Sequence, residues 1–380
     1  MTASDLADLI VVGAGPAGRA LAHRAVAAGL RTVVVDPAPH TPWTATIGMF
    51  GDDLPPWLDS GVVVARSDWF TVFTPRRRTV PRGYCVLSAA RLQRALSLDG
   101  ADVVESYADQ VTGATVRLSD GTTLRARCVI DARGGSAAPT APRQTAFGAF
   151  CRLPDDEAAP APEMVLMDWR ASPAGSPSFN YRVPVGDGLL LVEETCLAGR
   201  PAIGVGELRE RATSWLDRRL PEAEVSADVE TVDFPLAAPG RPWRRSPGAA
   251  TRFGAAGGLM HPATGYSIAE SLRSVDDVVE ALLDGRDPGS ALWPRRARIA
   301  HLLRLAGLEA LLGMDSAALT RFFDCFFTLD VERQRAYLSH RDDPAGIARA
   351  MWAVFARLPL RLKRQVAVAS VVAGRRPLQR

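Results

Sequence analysis

The fold of this chain is decided by the stretch Asp8-Leu9-Ile10-Val11-Val12-Gly13-Ala14-Gly15-Pro16-Ala17-Gly18. Its apolar residues, Leu9 to Val12, predict a buried strand, and the alanine-rich residues from Arg19 to Ala28 predict a helix that ends at Gly29. Between the two lie glycines at the spacing G-x-G-x-x-G. In such a turn the backbone N–H groups and the helix N-terminus face a pyrophosphate.

A second predicted strand, Thr32 to Val35, follows and ends at Asp36 and Pro37, about twenty residues after the glycine turn. An acid at this position accepts hydrogen bonds from the ribose hydroxyls of a bound dinucleotide. The alternative is a glycine-rich turn without a ligand. The sequence favours a dinucleotide site formed by Gly13, Ala14, Gly15, Pro16, Ala17, Gly18, Asp36 and Pro37.

Two later segments repeat this pattern of a short apolar strand followed by small residues. The first ends at Asp131 and Ala132, where a plain exit from the strand is the alternative to a cofactor contact. The second runs from Arg252 to Tyr266 and precedes a predicted helix, so it provides another helix N-terminus that could bind an anion or dipole. Its candidate binding residues are Gly257, Gly258, Met260, Thr264, Gly265 and Tyr266.

The composition is that of an ordinary globular protein of 380 residues with 47% hydrophobic residues and a formal net charge of +3. This charge does not favour nucleic acid as a partner. The five cysteines have no C-x-x-C spacing, which argues against a zinc site and is typical of a reducing cytoplasm. A signal peptide and a membrane-spanning segment are both disfavoured by the apolar pattern.

The middle of the chain has the alternating pattern of antiparallel strands, and the end is helical. We predict an α/β protein with a Rossmann-like dinucleotide domain, a mainly antiparallel substrate domain and a helical C-terminal region. The first comprises residues 1–65, 82–143 and 248–285, the second residues 66–81 and 144–247, and the third residues 286–380. Single strands are expected at Val111 to Leu118 and from Cys128 to Asp131, and a solvated linker at Pro154 to Pro162.

Several motifs, in this order, resemble the flavin-dependent lycopene cyclases, which are related to the flavoprotein monooxygenases. Besides the G-A-G-P-A-G turn they are Met164-Val-Leu-Met-Asp-Trp-Arg170, Val192-Glu-Glu-Thr195, Gly257-Gly-Leu-Met-His-Pro-Ala-Thr-Gly-Tyr266 and Arg321-Phe-Phe-Asp-Cys-Phe-Phe327. The resemblance implies bound FAD, active in its reduced form, and a hydrophobic polyene or terpene substrate. It adds Arg91 and Val111 to the expected cofactor contacts, although the family carries an Arg at the position of Ala89.

Ring closure of an acyclic polyene needs a strong acid in a dry pocket. A buried carboxyl group has a raised pKa and can serve as that acid. Glu193 and Glu194 end an apolar strand, and since neighbouring strand residues face opposite sides, only one should enter the pocket. The resemblance implies that it is Glu193; a surface pair of acids is the alternative. Asp168 is a weaker candidate, and a structural partner of Arg170 is the alternative.

Other features leave their alternatives open. His261 could move a proton, but such a residue more often caps backbone groups. The phenylalanines at 322, 323, 326 and 327 could be core packing or a polyene pocket. The basic, amphipathic stretch from Ala350 could attach to an anionic bilayer, bind a partner or be solvated. With the cysteine pattern given above, the expected location is cytoplasmic, and attachment to a membrane surface is one of the open alternatives.

The sequence thus predicts an FAD-dependent, non-redox carotenoid or terpene cyclase. One alternative is a flavin-dependent monooxygenase or halogenase of natural-product biosynthesis. Another is a polyene carrier without catalysis. The chain length of the substrate, the number of ends that react, the ring isomer and the oligomeric state are not encoded in any motif.

Overall fold

The computed structural model describes residues 6–135, 140–154, 162–238 and 240–375. Most of the expected linker at Pro154 to Pro162 lies outside these residues. The strands are β1 (Ala7–Val12), β2 (Thr32–Asp36), β3 (Ile47–Phe50), β4 (Val63–Ser67), β5 (Phe70–Phe73), β6 (Arg77–Val80), β7 (Tyr84–Leu87), β8 (Asp102–Glu105), β9 (Ala108–Val111), β10 (Thr115–Leu118), β11 (Thr123–Asp131), β12 (Arg143–Arg152), β13 (Val165–Asp168), β14 (Phe179–Gly186), β15 (Leu189–Gly199), β16 (Glu224–Pro235) and β17 (Thr251–Arg252). The helices are α1 (Pro16–Ala27), α2 (Ala89–Ala95), α3 (Val205–Arg219), α4 (Ile268–Leu283), α5 (Pro288–Leu292), α6 (Arg295–Leu312), α7 (Ser316–Phe326), α8 (Val331–Leu338), α9 (Pro344–Arg357) and α10 (Leu360–Arg375).

The first sheet has the strand order β8-β2-β1-β11-β10-β9, with β17 beside β11. β1 pairs in parallel with β2 and with β11, so that Val12 lies opposite Val35 and Asp131. Because parallel strands end at the same edge, the glycine turn, Asp36 and Ala132 are brought together there. Helices α1 and α4 pack against each other and share the apolar core of this sheet.

Two strand predictions in this sheet are wrong in their bounds. The expected strand from Val111 to Leu118 is two strands, β9 and β10, because the Thr112 hydroxyl accepts a hydrogen bond from the N–H of Thr115 at 2.9 Å and closes a hairpin turn. The expected short strand Cys128 to Asp131 is the end of β11. The first half of β11 pairs with β10 and its second half pairs with β1. Because the two halves have different neighbours, the sequence pattern suggests two separate segments.

The second sheet has the order β16-β12-β15-β14-β13-β5-β6 and is antiparallel except at the parallel pair β13–β5. The prediction of a mainly antiparallel second sheet is therefore confirmed. Helix α3 covers one face of β12 and β15 through its buried residues Leu208, Ala212 and Leu216. The opposite face is left for the C-terminal helices, whose apolar residues share a core with β5 and β14.

A three-stranded sheet, β3-β7-β4, lies at the junction of the two larger sheets. Its residues contribute to both neighbouring cores: Met49 to the first and Phe50 to the second. A charged cluster fixes this junction to the helices, since Asp53 accepts hydrogen bonds from Arg273 at 2.6 Å and from the Ser339 hydroxyl at 2.7 Å. Arg82 lies 3.6 Å from the centre of the Phe50 ring, which holds that ring in place.

The C-terminal region is helical, as predicted, and shares the core of the second sheet. Within the described part of the chain, every helix is too short or too polar to cross a bilayer. Two large apolar side chains near the end are mostly exposed, Trp352 at 69% and Leu360 at 67%. They lie among basic residues, so an amphipathic surface is present here.

Candidate functional site

The glycine turn after β1 is too tight for larger residues. Gly13 has a φ of +105°, and a Cβ at this position would lie 2.8 Å from the backbone of Ala132. A Cβ on Gly18 would collide with the carbonyl oxygen of Gly13. Glycine is therefore required at both positions for the turn to form and for helix α1 to pack on β1.

Gly15 differs from these two glycines because the space beside it is open. Apart from Gly15 itself and its two chain neighbours, no described atom lies within 4 Å of the position that a Cβ on Gly15 would take, and no described side chain caps helix α1 there. Pro16 occupies the first turn of the helix. The unpaired N–H groups of this turn therefore face free space, and the residues fit the phosphates of a dinucleotide.

Asp36 lies next to this turn, as the sequence predicts. One carboxylate oxygen accepts a hydrogen bond from the N–H of Ala14 at 2.8 Å, and the other accepts one from Ala38 at 2.8 Å. Pro37 follows on the exposed side of the strand end. The carboxylate is thus oriented by backbone groups beside the open space at Gly15.

The second glycine loop contacts the first turn. A Cβ on Gly254 would lie 2.7 Å from the Cβ of Ala17, so the two loops meet directly. Gly257 and Gly258 pack against protein atoms, the former against the Arg252 carbonyl and the latter, with a φ of +79°, against Pro242. Close packing alone explains why glycine occurs at positions 257 and 258.

The other expected cofactor residues divide into two groups. Thr264, Gly265 and Tyr266 line the main cavity described below, whereas Met260 borders a small void beside Trp293. Away from the cavity, Arg91 donates a hydrogen bond to the carbonyl of Gly61 at 3.2 Å. Val111 packs at the edge of the first sheet, and Asp131 forms an ion pair with Arg133 at 2.8 Å. The contacts of these last three residues are with other parts of the protein, away from the main cavity.

A cavity of about 540 Å³ lies between the second sheet, the β3-β7-β4 sheet and the C-terminal helices. Aromatic side chains form much of its wall. They are Phe50, Phe70, Tyr84, Phe179, Tyr181, Phe234, Tyr266, Phe322, Phe323, Phe326, Phe327 and Tyr337. The helical row of phenylalanines at 322 to 327 is therefore part of a pocket. A long, apolar ligand suits such a wall.

The adjacent glutamates of β15 face opposite sides of the sheet, as expected for neighbouring strand residues. The side chain of Glu193 lines the cavity. Glu194 is buried on the other face, where the hydroxyl of Ser178 and the amide of Asn180 donate hydrogen bonds to its carboxylate. The structure thus brings one glutamate of the pair, and only that one, to the cavity.

Glu193 has the properties of an acid that keeps its proton near neutral pH. Its surroundings are apolar, and the resulting desolvation raises the pKa of its carboxyl group to about 7. The nearby Glu230 carboxylate raises this pKa further, while a hydrogen bond donated by the Thr195 hydroxyl lowers it. Glu193 can therefore be protonated at the pH of a cell and still lose its proton in a reaction.

Asp168 lies in a different environment, although Leu166 and Met167 of the same strand line the cavity. Arg170 donates hydrogen bonds to both oxygens of its carboxylate, and Arg182 contacts it at 3.1 Å. These partners lower the pKa of Asp168 despite its burial. It is thus a structural partner of two arginines, the alternative that the sequence left open, and is held ionised.

Several polar residues of the cavity wall were not predicted from the sequence, among them Glu230, Tyr84 and Tyr181. The Tyr84 hydroxyl lies 3.0 Å from that of Tyr266 and 3.4 Å from that of Tyr181. Burial raises the pKa of all three tyrosines, so the hydroxyls are neutral. Glu230 lies in a strand with several acidic residues, and the neighbouring sequence does not distinguish it from them. Only the pairing of the strands distinguishes it.

His261 stabilises the second glycine loop and does not lie beside Glu193, the acid of the main cavity. Its Nδ1 accepts a hydrogen bond from the N–H of Ala263 at 3.2 Å, and its Nε2 lies 3.1 Å from the carbonyl of Tyr337. Burial lowers the pKa of this histidine well below its usual value, so the ring is neutral. A structural role that caps backbone groups accounts for all these contacts.

The sheet order, the glycine turn and the second sheet give this chain a fold that solved flavoprotein structures share. The chain aligns with a geranylgeranyl bacteriochlorophyll reductase-like protein from Thermoplasma acidophilum at a TM-score of 0.68 and 18% identity, covering 95% of this chain and 99% of that one. A probable FAD-dependent monooxygenase from Pseudomonas aeruginosa aligns at a TM-score of 0.55 and 19% identity, covering 90% and 99%. At these identities the likeness concerns the fold alone.

The chain belongs to the lycopene cyclase family, since residues 8–363 match the family model described as lycopene cyclase protein. An uncharacterized carotenoid cyclase of Deinococcus radiodurans is 32% identical over 96% of this chain and 93% of its own length. The chloroplastic lycopene beta cyclase of Nicotiana tabacum is 28% identical over 88% of this chain and 74% of its own. The family and these relatives support an enzyme that acts on carotenoids, as the motifs predict.

Proposed function

We propose that the protein is an FAD-dependent, non-redox carotenoid cyclase, similar to the lycopene beta cyclases, that closes a ring at the end of an acyclic polyene. The observation that carries this proposal is Glu193, an acid with a pKa of about 7 on the wall of an aromatic cavity. Such a cavity takes up a hydrocarbon, and a protonated carboxyl group is the donor that a hydrocarbon's double bond requires.

The reaction begins when Glu193 donates its proton to the terminal double bond of the polyene. The electron pair of that bond forms the new C–H bond and leaves a tertiary cation. The neighbouring double bond then supplies its electron pair to the cation, which forms the ring bond and moves the charge into the ring. Loss of a proton from a ring carbon restores neutrality, so the product is an isomer of the substrate.

The cavity wall can stabilise the cation during these steps. The rings of Phe50, Phe70, Tyr84 and Tyr266 pack with centroids between 5.6 and 6.5 Å apart on this wall. The faces of aromatic rings attract a cation, with a larger effect where water is excluded. Because the three tyrosine hydroxyls are neutral and hydrogen-bonded to one another, they do not compete as strong nucleophiles for the cation.

The residues at the glycine turn would hold the FAD. The open space at Gly15, the N-terminus of α1 and Asp36 suit its adenosine diphosphate portion, and Thr264 to Tyr266 connect this region with the cavity. When bound and reduced, the flavin would supply negative charge near the cation. The chain's own residues supply the proton and the dry pocket.

Conversion of lycopene by the purified, FAD-loaded protein tests this function. We expect cyclic products with the mass of lycopene, formed without stoichiometric consumption of NADPH and oxygen. A monooxygenase or halogenase, the class of several solved structures with this fold, would consume both and change the mass of its product. Binding of lycopene without any conversion would instead indicate a carrier.

We also propose that the surface around Trp352 contacts an anionic membrane, where an apolar substrate is dissolved. Trp352 and Leu360 are exposed and lie near the exposed, basic Arg357, Arg361 and Arg364. Exposed apolar residues among cations favour shallow attachment to anionic lipid. In flotation with liposomes, we expect binding to anionic but not to neutral vesicles, and a loss of binding in Trp352→Ser. Equal flotation of this variant and the wild type would contradict the proposal.

A further inference from the structure

A second carboxylate, Glu230, faces the same cavity as Glu193. The pairing of the strands places them in one row: Glu193 lies opposite Gly148 on the central strand β12, and Gly148 lies opposite Glu230. Directly opposed residues on neighbouring strands point to the same face of a sheet. The two glutamates therefore stand on one face, separated by a residue without a side chain.

Glu230 is fixed in place by the loop that precedes β3. The N–H of Thr46 lies 3.1 Å from each of its two carboxylate oxygens. The following residues, Ile47 and Gly48, also line the cavity. Among the described residues, the hydrogen bonds of Glu230 come from the backbone and the side chain of Thr46, and no arginine forms an ion pair with it. Its charge is thus not neutralised by a cation, in contrast to that of Asp168.

A carboxylate that no cation neutralises, in an apolar pocket, can stabilise a positive charge that forms there during a reaction. Burial raises the pKa of both Glu230 and Glu193, and the charge of Glu230 raises that of Glu193 further. Two close carboxyl groups hold a shared proton more readily than two full negative charges. A proton-initiated ring closure needs this pair in the state with Glu193 protonated and Glu230 ionised.

We propose that Glu230 is the second catalytic carboxylate of the cyclase and accepts the proton that leaves the ring. This inference rests on the proposed function. Glu193 gives its proton to the terminal double bond, and the pair then holds two negative charges beside the cation. The carboxylate of Glu230 removes a proton from a ring carbon next to the cation, and the electron pair of that C–H bond becomes the ring double bond.

Each cycle leaves Glu193 ionised and Glu230 protonated. A proton transfer from Glu230 to Glu193, on the shared face of the sheet, restores the starting state. No proton or electron is gained or lost overall. Because Glu230 has a fixed position, the proton that it removes determines which ring isomer forms. Glu230 is thus also expected to govern the position of the new double bond.

The alternative is that Glu230 only holds the loop at Thr46. Glu230→Gln separates the two roles, because the amide keeps one oxygen that can accept the N–H of Thr46 but can no longer take up a proton. Glu230→Asp keeps the carboxylate and shortens its reach. Glu224→Gln is the matched control, since Glu224 lies on the same strand with an exposed side chain.

The four proteins, loaded with FAD, are compared for initial rate and product isomers on lycopene in micelles. We expect Glu230→Gln to lower kcat by about 100-fold or more, with little change in KM, and to yield altered double-bond isomers. Glu230→Asp should be more active than Glu230→Gln, and Glu224→Gln should equal the wild type. Near-UV circular dichroism and flavin absorbance establish that each variant is folded and loaded.

The inference is overturned if folded Glu230→Gln retains more than about one tenth of the wild-type rate with the same isomer. It is also overturned if Glu230→Asp is no more active than Glu230→Gln, because the charge is then irrelevant. If the glutamine variant does not fold, Glu230→Asp is compared with the wild type, and an unchanged rate with the same isomer would overturn the inference, because the shortened carboxylate no longer reaches the same proton. If the wild type itself makes no cyclic product, the proposed function has failed, which is a separate result.

Discussion

Glu193→Gln is expected to abolish ring formation, with a fall in kcat of about 1000-fold or more. Glutamine has nearly the same shape, and its amide can still accept the hydrogen bond from the Thr195 hydroxyl. It cannot give a proton to a carbon–carbon double bond. Flavin absorbance and thermal stability should stay close to those of the wild type, because the change removes no packing.

Glu194→Gln is the matched control for this variant. The two residues are adjacent on β15, and Glu194 faces Ser178 and Asn180 on the side away from the cavity. We expect this variant to retain ring formation with at most some loss of stability. The assay is separation of the pigments formed from lycopene. Loss of activity in Glu194→Gln together with full activity in Glu193→Gln would reverse our assignment of the acid.

The role of Glu193 as the proton donor also predicts how the rate depends on pH. Only protonated Glu193 is active, and its pKa is about 7, so kcat should fall as the pH rises through that value. The groups that face it are Glu230, whose pKa is also raised, and the hydroxyls of Tyr181 and Tyr266, which stay neutral in this range. A rate that rises across neutral pH would contradict an acid role for Glu193.

Gly15→Asp is expected to prevent FAD binding without unfolding the protein. Gly15 precedes helix α1 in an extended conformation, with φ of −68° and ψ of 178°, which aspartate adopts easily. The new carboxylate would cap the helix and stabilise it by roughly a few tenths of a kcal/mol, because glycine is already a tolerated N-cap residue. It would also place a negative charge where the phosphates belong. We expect FAD affinity to fall by about 100-fold, equivalent to about 2.7 kcal/mol.

Gly15→Asn is the matched control, since it has the same size and capping ability but no charge. Its FAD affinity should lie between those of the wild type and Gly15→Asp. Titration with FAD and thermal unfolding of the apoprotein measure the two effects separately. Equal FAD affinity in all three proteins would show that the phosphates bind elsewhere. Gly18→Ala, by contrast, should unfold the turn, because its Cβ would collide with the Gly13 carbonyl.

The parallel part of the fold could be predicted because its signals are local. The run from Asp8 to Gly18 contains strand, turn and helix start in eleven consecutive residues, and the structure follows it. The boundary between β9 and β10 could not be predicted from the same kind of signal. There, a threonine side chain turns the backbone within a stretch that alternates like one strand.

The site shows a similar division. Strand periodicity implied that only one of Glu193 and Glu194 enters the pocket, and the structure places Glu193 there. The partner of that acid, Glu230, is 37 positions further along the chain, and its relevance depends on the register of β15, β12 and β16. A register between distant strands has no local signature, and neither has the meeting of three tyrosines from separate segments.

The spacing of the two acids has a consequence for how the enzyme can diversify. Both stand on strands of one sheet, two strand positions apart, so about 9 to 10 Å of hydrogen-bonded backbone separates their Cα atoms. Insertions in loops or movements of helices leave this separation unchanged. New substrates can therefore be accommodated by substitutions in the helices that cover the cavity, while the distance between the proton donor and the proton acceptor stays the same.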